Sequence, residues 1–331
     1  MKITDLHDLP KLRDGLGYLY VERAHIEQKS LGVVLDYPDT EVPIPSASLA
    51  ALLLGPGTTI SHAAVRALAD NGCSIIWCGE GAVRVYAQGV GETRKGHRLL
   101  RQAELVCNPD MRAQVVMRMY RMRFEKKLPE DLTIEQVRGM EGVRVREAYA
   151  QAAKRTGIIW TGRAYRPGDW NAADPVNRAL SAANSCLYGV CHAAIVSAGY
   201  STGLGFVHTG KQLSFVYDIA DLYKVETTIP VAFECAANPG PELERRVRTT
   251  CRDVFLVQKI LQRVVPDIAR ALAVDEPLDL PSNADPDVEA AIPGGLWDPD
   301  HETVEGGVNY GGDDSGERPR EPEGGAEPVD D

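Results

Sequence analysis

The sequence predicts an α+β protein in which a β-rich N-terminal domain is followed by an all-helical domain, because the apolar pattern changes once along the chain. Between residues 16 and 88, apolar residues form short runs separated by Pro and Gly, as in strands. From residue 99 onward they recur every three or four positions, as in helices. Over 331 residues we therefore predict domains at 1–88 and 99–280, a linker at 89–98 and a tail at 281–331.

The N-terminal domain should contain several strands and one helix. The runs GYLYVE, GVVLDY, SIIWC and VRVYA are rich in the β-branched and aromatic residues that strands prefer. Ser61 can cap a short helix that carries Ala64 and Leu68 on one side, and Asn71-Gly72 can end it.

The linker contains glycines and a lysine, in QGVGETRKGH at 88–97. A phosphate-binding loop needs Gly-Lys-Ser/Thr at the start of a helix, whereas Lys95 here precedes Gly96 and His97. The segment is therefore interpreted as a connection between domains.

The second domain should be an array of helices. Helical periodicity covers 99–106, 111–124 and 134–155, a long apolar segment at 177–198 predicts a central buried helix, and 241–273 predicts one or two more.

The formal net charge of −11 is unevenly distributed. Residues 275–331 hold 18 acidic and 2 basic residues, so 1–274 carry a net charge of +5 and a nucleic-acid partner is not excluded. The tail is also rich in Pro and Gly, as in EGGVNYGGDD at 305–314, and buries too little apolar surface to offset its ordering entropy. We expect 281–331 to be largely disordered, either without a function or as an interaction tail that competes with DNA for basic surfaces.

The seven cysteines are odd in number and mostly lie in apolar runs, which indicates buried free thiols and neither zinc ligands nor disulfides. The N-terminus lacks an apolar core of signal-peptide length, and no stretch reaches about 18 uncharged apolar residues. We expect a cytoplasmic protein that makes no use of a membrane.

Two acids lie in YDIADL at 217–222. On a helix, residues three apart share a face, so Asp218 and Asp221 would project together. Paired acids are usually a solvated helix face, but here the neighbours are apolar or aromatic, and carboxylates near a core need a partner.

His208 and Glu141 are the candidate partners. A Gly turn in GFVHTGK at 205–211 can bring His208 back beside Asp221, although a lone histidine of this kind is more often a core residue. Glu141 lies between two glycines in a predicted helix, which suggests close approach by something large. The nearby Arg138, Arg144 and Arg146 suit a phosphate backbone, and ion pairs along a surface helix explain them equally well.

Longer motifs carry a family resemblance. GMEGVRVR at 139–146, ANSCLYGV at 183–190 and GFVHTGKQLSFVYDIAD at 205–221 closely resemble the CRISPR-associated adaptation integrase, also described as an endonuclease, of the type I-E subfamily. PGTTISHAAVR at 56–66 and GAVRVYA at 81–87 resemble its N-terminal domain. The resemblance runs from about residue 9 to 273 and leaves only the tail outside.

The resemblance implies that the helical domain is catalytic. It implies a metal site of Glu141, His208 and Asp221, with Asp218 as an auxiliary catalytic acid. One imidazole among carboxylates favours Mn²⁺ and permits Mg²⁺. The resemblance further implies a homodimer, two copies of which sandwich a small ferredoxin-like second CRISPR adaptation protein and bind a short DNA duplex with single-stranded ends.

DNA-binding residues follow from the resemblance and from local charge. Basic positions of the family's DNA path match Arg66, Arg84, Arg163 and Arg248; aromatic positions near the site match Tyr165 and Tyr188; and Arg138, Arg146 and Lys211 lie beside the metal motifs. Tyr165 and Tyr188 could equally pack in the core. The chain departs from the family at Thr59, where an arginine can stand, and at Arg23, where a tyrosine wedge splits the duplex end.

The expected reaction is phosphodiester transfer. The 3'-hydroxyl of a captured DNA fragment would attack a phosphate at the edge of the CRISPR repeat, and water in its place would give nuclease activity. Two alternatives remain open: a general metal-dependent DNA nuclease that needs no partner protein, and a non-catalytic DNA-binding scaffold whose acids are structural.

Overall fold

The computed structural model describes residues 17–29, 32–38, 40–44, 46, 49–80, 85–89, 96–163, 174–240, 242–273, 296–298 and 302–304. The chain divides into two compact units, Met1–Asp279 and Leu280–Asp331. In the first unit, strands are followed by helices, which confirms the predicted α+β class. Both parts lie within this one unit, so the domain boundaries at 88 and 99 stay predictions.

The described strands of the first unit form two four-stranded sheets. They are β1 (Gly17–Val21), β2 (His25–Lys29), β3 (Gly32–Tyr37), β4 (Thr40–Ile44), β5 (Leu49–Leu54), β6 (Thr59–Ile60), β7 (Ser74–Cys78) and β8 (Val85–Gly89). One sheet has the order β1-β5-β7-β8, in which β8 alone runs antiparallel to its neighbour. The other has the order β4-β3-β2-β6, and its first three strands form an antiparallel meander.

Helix α1 (His62–Asp70) forms where Ser61 and Asn71 predicted it, and it packs against these strands. The Ser61 hydroxyl accepts a hydrogen bond from the Ala64 amide at 3.2 Å, and Asn71 ends the helix. Ala64 and Leu68 are buried in a cluster with residues of both sheets, Ile26 and Leu52 among them. The helix therefore ties the two sheets into one core.

The remaining helices of the described chain form the second part of this unit. They are α2 (His97–Cys107), α3 (Pro109–Arg121), α4 (Ile134–Thr156), α5 (Pro175–Ser197), α6 (Ser214–Ala220), α7 (Thr228–Ala236), α8 (Leu243–Val257) and α9 (Ile260–Leu272). The predicted helical segments are confirmed, and the segment 241–273 contains two helices. The helix α7 had no counterpart among the predictions.

Helix α5 is the centre of the fold, as its apolar sequence predicted. It contacts α6, α7, α8 and α9, and its Ala193 packs against Ala51 and Ile76 of the first sheet. Within the described chain it is long and apolar enough to cross a membrane by length and composition, yet 67% of its most apolar window is buried inside the protein. Such burial is typical of the core helix of a soluble protein.

The cysteines are free thiols, as predicted. Six of them are buried, whereas Cys107 at the end of α2 is exposed. Burial raises the pKa of the Cys73 and Cys78 thiols to about 12, so both stay protonated at neutral pH.

The second unit contains two short strands among its described residues. Strands β9 (Leu296–Asp298) and β10 (Glu302–Val304) pair antiparallel, with Trp297 opposite Thr303. The acidic composition of the tail did not predict this regular structure. The predicted disorder of the rest of 281–331 concerns residues outside the described ones.

Candidate active site

A buried carboxylate lies at the centre of the candidate site. Asp218 of α6 is fully buried and accepts hydrogen bonds from the backbone amides of Phe206, Val207 and His208 at 2.6, 3.1 and 2.8 Å. Its Oδ1 also lies 2.7 Å from Nδ1 of the His208 ring. A carboxylate with four such donors is fixed in position.

The loop that carries His208 is held from its other side by α2 and α3. The buried Gln102 side chain donates to the Ser201 and Leu204 carbonyls at 3.0 and 2.9 Å and accepts from the Ser201 amide at 2.8 Å. Arg112 donates from Nη2 to the Phe206 carbonyl at 2.8 Å. Because Asp218 binds the amide of this same Phe206, the loop is clamped between two elements.

Gly205 permits the tight course of this loop. A Cβ at this position would collide with the His208 carbonyl oxygen and would lie 2.6 Å from the Ser214 Cβ. Neither is the end of a flexible side chain, so only Gly fits here.

These contacts define the chemistry of His208. Its Nδ1 is taken by Asp218, which leaves Nε2 of the neutral ring as the nitrogen that can bind a cation or a proton. The hydrogen bond to Asp218 raises the pKa of His208, and the charge of Asp221 adds to this effect against the opposing effect of burial. The side chain is 41% exposed, so ligands can reach it.

Glu141 projects from the middle of α4 and is buried against arginines. Its carboxylate accepts from Nε and Nη2 of Arg144 at 2.8 and 3.1 Å, and from Nη1 of Arg123 at 3.3 Å. Glu141 and Arg144 lie three residues apart on α4 and form an ion pair. Such pairs were one interpretation of the nearby arginines, and contacts with a phosphate backbone were the other. A Cβ at Gly139 or Gly142 would meet nothing within 4 Å, so no described part of the chain makes the close approach that these glycines suggested.

Asp221 follows α6 as its C-terminal cap and is bound by two cations. Its Oδ1 lies 2.6 Å from Nζ of Lys224, and its Oδ2 lies 3.6 Å from Nη2 of Arg123. Arg123 therefore contacts Glu141 and Asp221 with one guanidinium. Burial lowers the pKa of Lys224, but Asp221 and Tyr188 together outweigh this and the pKa is raised overall.

Aromatic rings line the same region. Tyr217 packs against His208 and Tyr188, with ring centroids 5.8 and 4.9 Å apart, and the Lys224 ammonium lies 5.0 Å from the Tyr188 ring centre. Tyr188 is half-buried here and belongs to the surroundings of the site.

The donor chemistry fits a divalent cation. Two carboxylates and an imidazole with a carboxylate behind it are ligands that Mn²⁺ and Mg²⁺ accept. The arrangement is not that of a formed coordination sphere, because no three His, Cys, Asp or Glu side chains of the described residues lie close enough to hold a metal ion. Arginine and lysine groups balance the carboxylates instead.

The predicted site residues thus fall into two joined pairs. Asp218 holds His208 directly, and Arg123 connects Glu141 with Asp221. Asp221 also acts on His208 through its charge. The assignment of Glu141, His208 and Asp221 as metal ligands stays a prediction.

The predicted DNA-binding residues lie on several elements. Arg138 and Arg146 are exposed on α4, and Lys211 is exposed three residues after His208. Tyr165 and Arg84 lie outside the described residues.

Three further predicted DNA-binding residues already have protein partners. Arg66 on α1 lies 3.8 Å from Asp70, Arg248 on α8 lies 3.8 Å from Glu80, and Arg163 donates to the Asn177 carbonyl at 3.4 Å. The first two pairs are long and leave the guanidinium groups available to phosphates.

Sequence reasoning missed Arg123, Lys224, Gln102 and Arg112. The spacing of Lys224, three residues after Asp221, was a usable indication of an ion pair. The other three act on residues that are distant in sequence, and no local pattern reveals them.

The fold and the site together define a class: an α+β protein whose helical part carries a histidine fixed by a buried carboxylate, beside two carboxylates gathered by arginines. A family model described as "CRISPR associated protein Cas1" matches residues 117–239, the segment that contains Glu141, His208, Asp218 and Asp221.

Full-length relatives agree with this match. The Thermus thermophilus protein "CRISPR-associated endonuclease Cas1 2" is 54% identical over 321 residues, which cover 97% of this chain and 98% of that protein. The Escherichia coli K12 "CRISPR-associated endonuclease Cas1" is 44% identical over 300 residues, or 89% and 97% of the two chains. The "Crystal structure of TtCas1-DNA complex" superposes with a TM-score of 0.73 at 52% identity and covers 80% of this chain and 99% of that one.

The chain belongs to the CRISPR-associated Cas1 family. This confirms the family that the sequence motifs resembled. The type I-E subfamily stays a prediction.

Proposed function

We propose that this chain is a metal-dependent DNA endonuclease and integrase of CRISPR adaptation. It would join the 3'-hydroxyl ends of captured DNA fragments to the CRISPR repeat by transesterification. The observation that carries the proposal is His208 fixed by the buried Asp218, with Asp221 near enough to act on its ring through charge and joined to Glu141 through Arg123. Relatives named as CRISPR-associated endonucleases support the reaction class.

Glu141, His208 and Asp221 would hold the cation, Mg²⁺ or Mn²⁺. When bound, such a cation neutralises charge on the nonbridging phosphate oxygens. The chain itself supplies the orientation. Asp218 fixes the tautomer of His208, and Gln102 and Arg112 fix the loop on which it lies.

The DNA would run along the basic body of the chain. Arg138 and Arg146 are exposed on the helix that carries Glu141, and Lys211 is exposed three residues after His208, so phosphates that approach the site would meet charged partners. A related structure was solved as a complex with DNA, which supports this role.

The proposed assembly is a homodimer that works with a small ferredoxin-like second CRISPR adaptation protein in the cytoplasm. This partner would set the distance between two catalytic sites. The chain would then cut and join both ends of one short duplex with single-stranded ends.

The test is strand transfer by the purified full-length chain. A short labelled duplex with 3' overhangs and a repeat-bearing plasmid are incubated with Mn²⁺ or Mg²⁺, with and without the small partner. Asp221→Asn should abolish joining and retain DNA binding. Asp253→Asn is the matched control, because this exposed carboxylate of α8 pairs only with Arg252 among the described residues, and it should join DNA as the wild type does.

Two outcomes would select the alternatives. Hydrolysis of plain duplex without joining, equal with and without the partner, identifies a general nuclease. Unchanged DNA binding with no product in either metal identifies a scaffold and refutes the proposal.

A further inference from the structure

Three cations surround the two carboxylates that are proposed to bind metal. Arg144 binds Glu141, Lys224 binds Asp221, and Arg123 contacts both. Glu141 and Asp221 therefore carry no excess negative charge toward an arriving divalent ion. A metal ion has to compete with charges that the chain provides itself.

Arg123 differs from the other two cations in its burial. Its side chain is 4% exposed, whereas those of Arg144 and Lys224 are each 25% exposed. Arg123 lies just after the end of α3, and its guanidinium is 4.9 Å from the centre of the Tyr120 ring. Arg144 and Lys224 thus border solvent, whereas Arg123 is enclosed by the protein.

The buried guanidinium is also incompletely paired. Nε and Nη2 of Arg123 are buried and have no hydrogen-bond partner among the described residues, and Nη2 reaches Asp221 only at 3.6 Å. A buried ion with unused donors is costly unless its charge is needed. A hydrophobic side chain of similar volume, such as Met, would fill the same space at lower desolvation cost.

We infer that Arg123 is a positioning residue that serves as a built-in counter-cation of the site. It holds Glu141 and Asp221 together when no divalent ion is bound. Its fixed positive charge weakens the binding of that ion and so sets the affinity of the site for metal. The inference rests on the proposed function, because it takes Glu141 and Asp221 as ligands of the cation.

Two consequences follow from Coulomb's law. Without Arg123, the two carboxylates repel each other in a poorly solvated environment, so the metal-free chain loses stability. The same change removes a unit charge adjacent to the cation, so divalent binding strengthens by about tenfold or more. A residue with only a packing role would not strengthen metal binding when it is removed.

The experiment compares the full-length wild type with Arg123→Met, Arg123→Lys and Arg121→Met. Arg121 is the matched control, because its guanidinium binds the Pro129 and Glu130 carbonyls and not the site carboxylates. Mn²⁺ binding is measured by calorimetry, and melting temperatures are recorded in EDTA and in Mn²⁺. Glu141→Gln tests whether the measured Mn²⁺ occupies this site.

The expected result is an Mn²⁺ dissociation constant about tenfold or more lower in Arg123→Met than in the wild type. Its melting temperature should be lower in EDTA and should rise more with Mn²⁺. Arg123→Lys keeps the charge, and both Arg123→Lys and Arg121→Met should bind Mn²⁺ as the wild type does. A variant Arg123→Met that folds only with Mn²⁺ supports the inference equally, because the metal then replaces the missing charge.

Other outcomes overturn it. If Arg123→Met binds Mn²⁺ no more tightly than the wild type, while Glu141→Gln does not bind it at all, the inference is refuted and the proposed metal site stays intact. Failure of Arg123→Met to fold with and without Mn²⁺ assigns Arg123 to the core alone. If Glu141→Gln binds Mn²⁺ as the wild type does, the proposed assignment of the metal ligands and the inference are both refuted.

Discussion

Replacing Asp218 with Asn should destabilise the fold more than replacing the histidine that it holds. The buried carboxylate accepts two N–H groups on each oxygen: those of Phe206 and Val207 on Oδ2, and the backbone and ring N–H groups of His208 on Oδ1. An Asn side chain has one acceptor oxygen and one NH₂ group. In either orientation of the Asn amide, its NH₂ group therefore faces two N–H donors and cannot accept a hydrogen bond from them.

The size of the effect follows from the number of bonds lost. A hydrogen bond to a charged group contributes about 1.5–3 kcal/mol net, so two lost bonds lower the free energy of unfolding by about 3–6 kcal/mol. Solvent does not reduce this figure, because Asp218 is fully buried. For a folded body of this size the melting temperature should fall by about 5–10 °C.

The assay is thermal and urea unfolding followed by circular dichroism in EDTA, so that no metal contributes. His208→Gln is the matched control: it loses one of the four bonds and a side chain that is 41% exposed, and it should melt within about 4 °C of the wild type. If Asp218→Asn melts as high as His208→Gln, the buried carboxylate does not hold the loop and the proposed clamp is wrong.

Four further predictions concern other parts of the molecule. Burial lowers the pKa of His192, so the stability that this neutral ring contributes is complete above about pH 6.5 and is lost as the pH falls below that value. The free energy of unfolding measured in urea should therefore decrease more on acidification in the wild type than in His192→Gln, and equal decreases would contradict this. Gln102→Leu leaves three half-buried backbone groups unpaired and should lower the free energy of unfolding measured in urea by about 3 kcal/mol, whereas a loss under about 1 kcal/mol would show that the loop does not depend on this side chain. DNA affinity, followed by fluorescence anisotropy, should fall steeply between about 50 and 200 mM salt despite the acidic pI of 5.2, and a flat salt dependence would exclude phosphate contacts. Removal of 285–331 should leave the melting temperature and the metal-dependent DNA cleavage of the body unchanged, and a loss of binding to the small partner would instead identify the tail as a docking segment.

The sequence by itself determined the order of strands and helices and the ends of several helices. These features depend on neighbours within a few positions. The α4 helix begins where Thr133 and Gln136 exchange hydrogen bonds with each other's backbone, and it ends at Gly157, which adopts a left-handed conformation. Local chemistry of this kind is visible in the chain before it folds, and the predicted helix at 134–155 agrees with it.

Local pattern did not reveal the helix α7 or the short extent of α6. Residues 228–236 are almost entirely apolar, so they show no amphipathic period that separates a buried helix from a buried strand. The α6 helix ends at Ala220, and Asp221 therefore caps it and faces Lys224 and Arg123.

The residues of the candidate site were identified in the sequence only through family motifs. Tertiary structure decided which charged groups contact them. Asp218 and His208 lie ten residues apart, and the segment just before His208 is held in place by Gln102 and Arg112, about a hundred residues earlier. Arg123 and Asp221 are brought together over a similar separation in sequence. Periodicity and spacing describe which face a side chain takes on its own helix, but they carry no information about which distant charge that face meets. That choice is made by the packing of α2, α3 and α4 against the loop and α6, since a buried charge is stable only where the assembled core supplies its counter-charge.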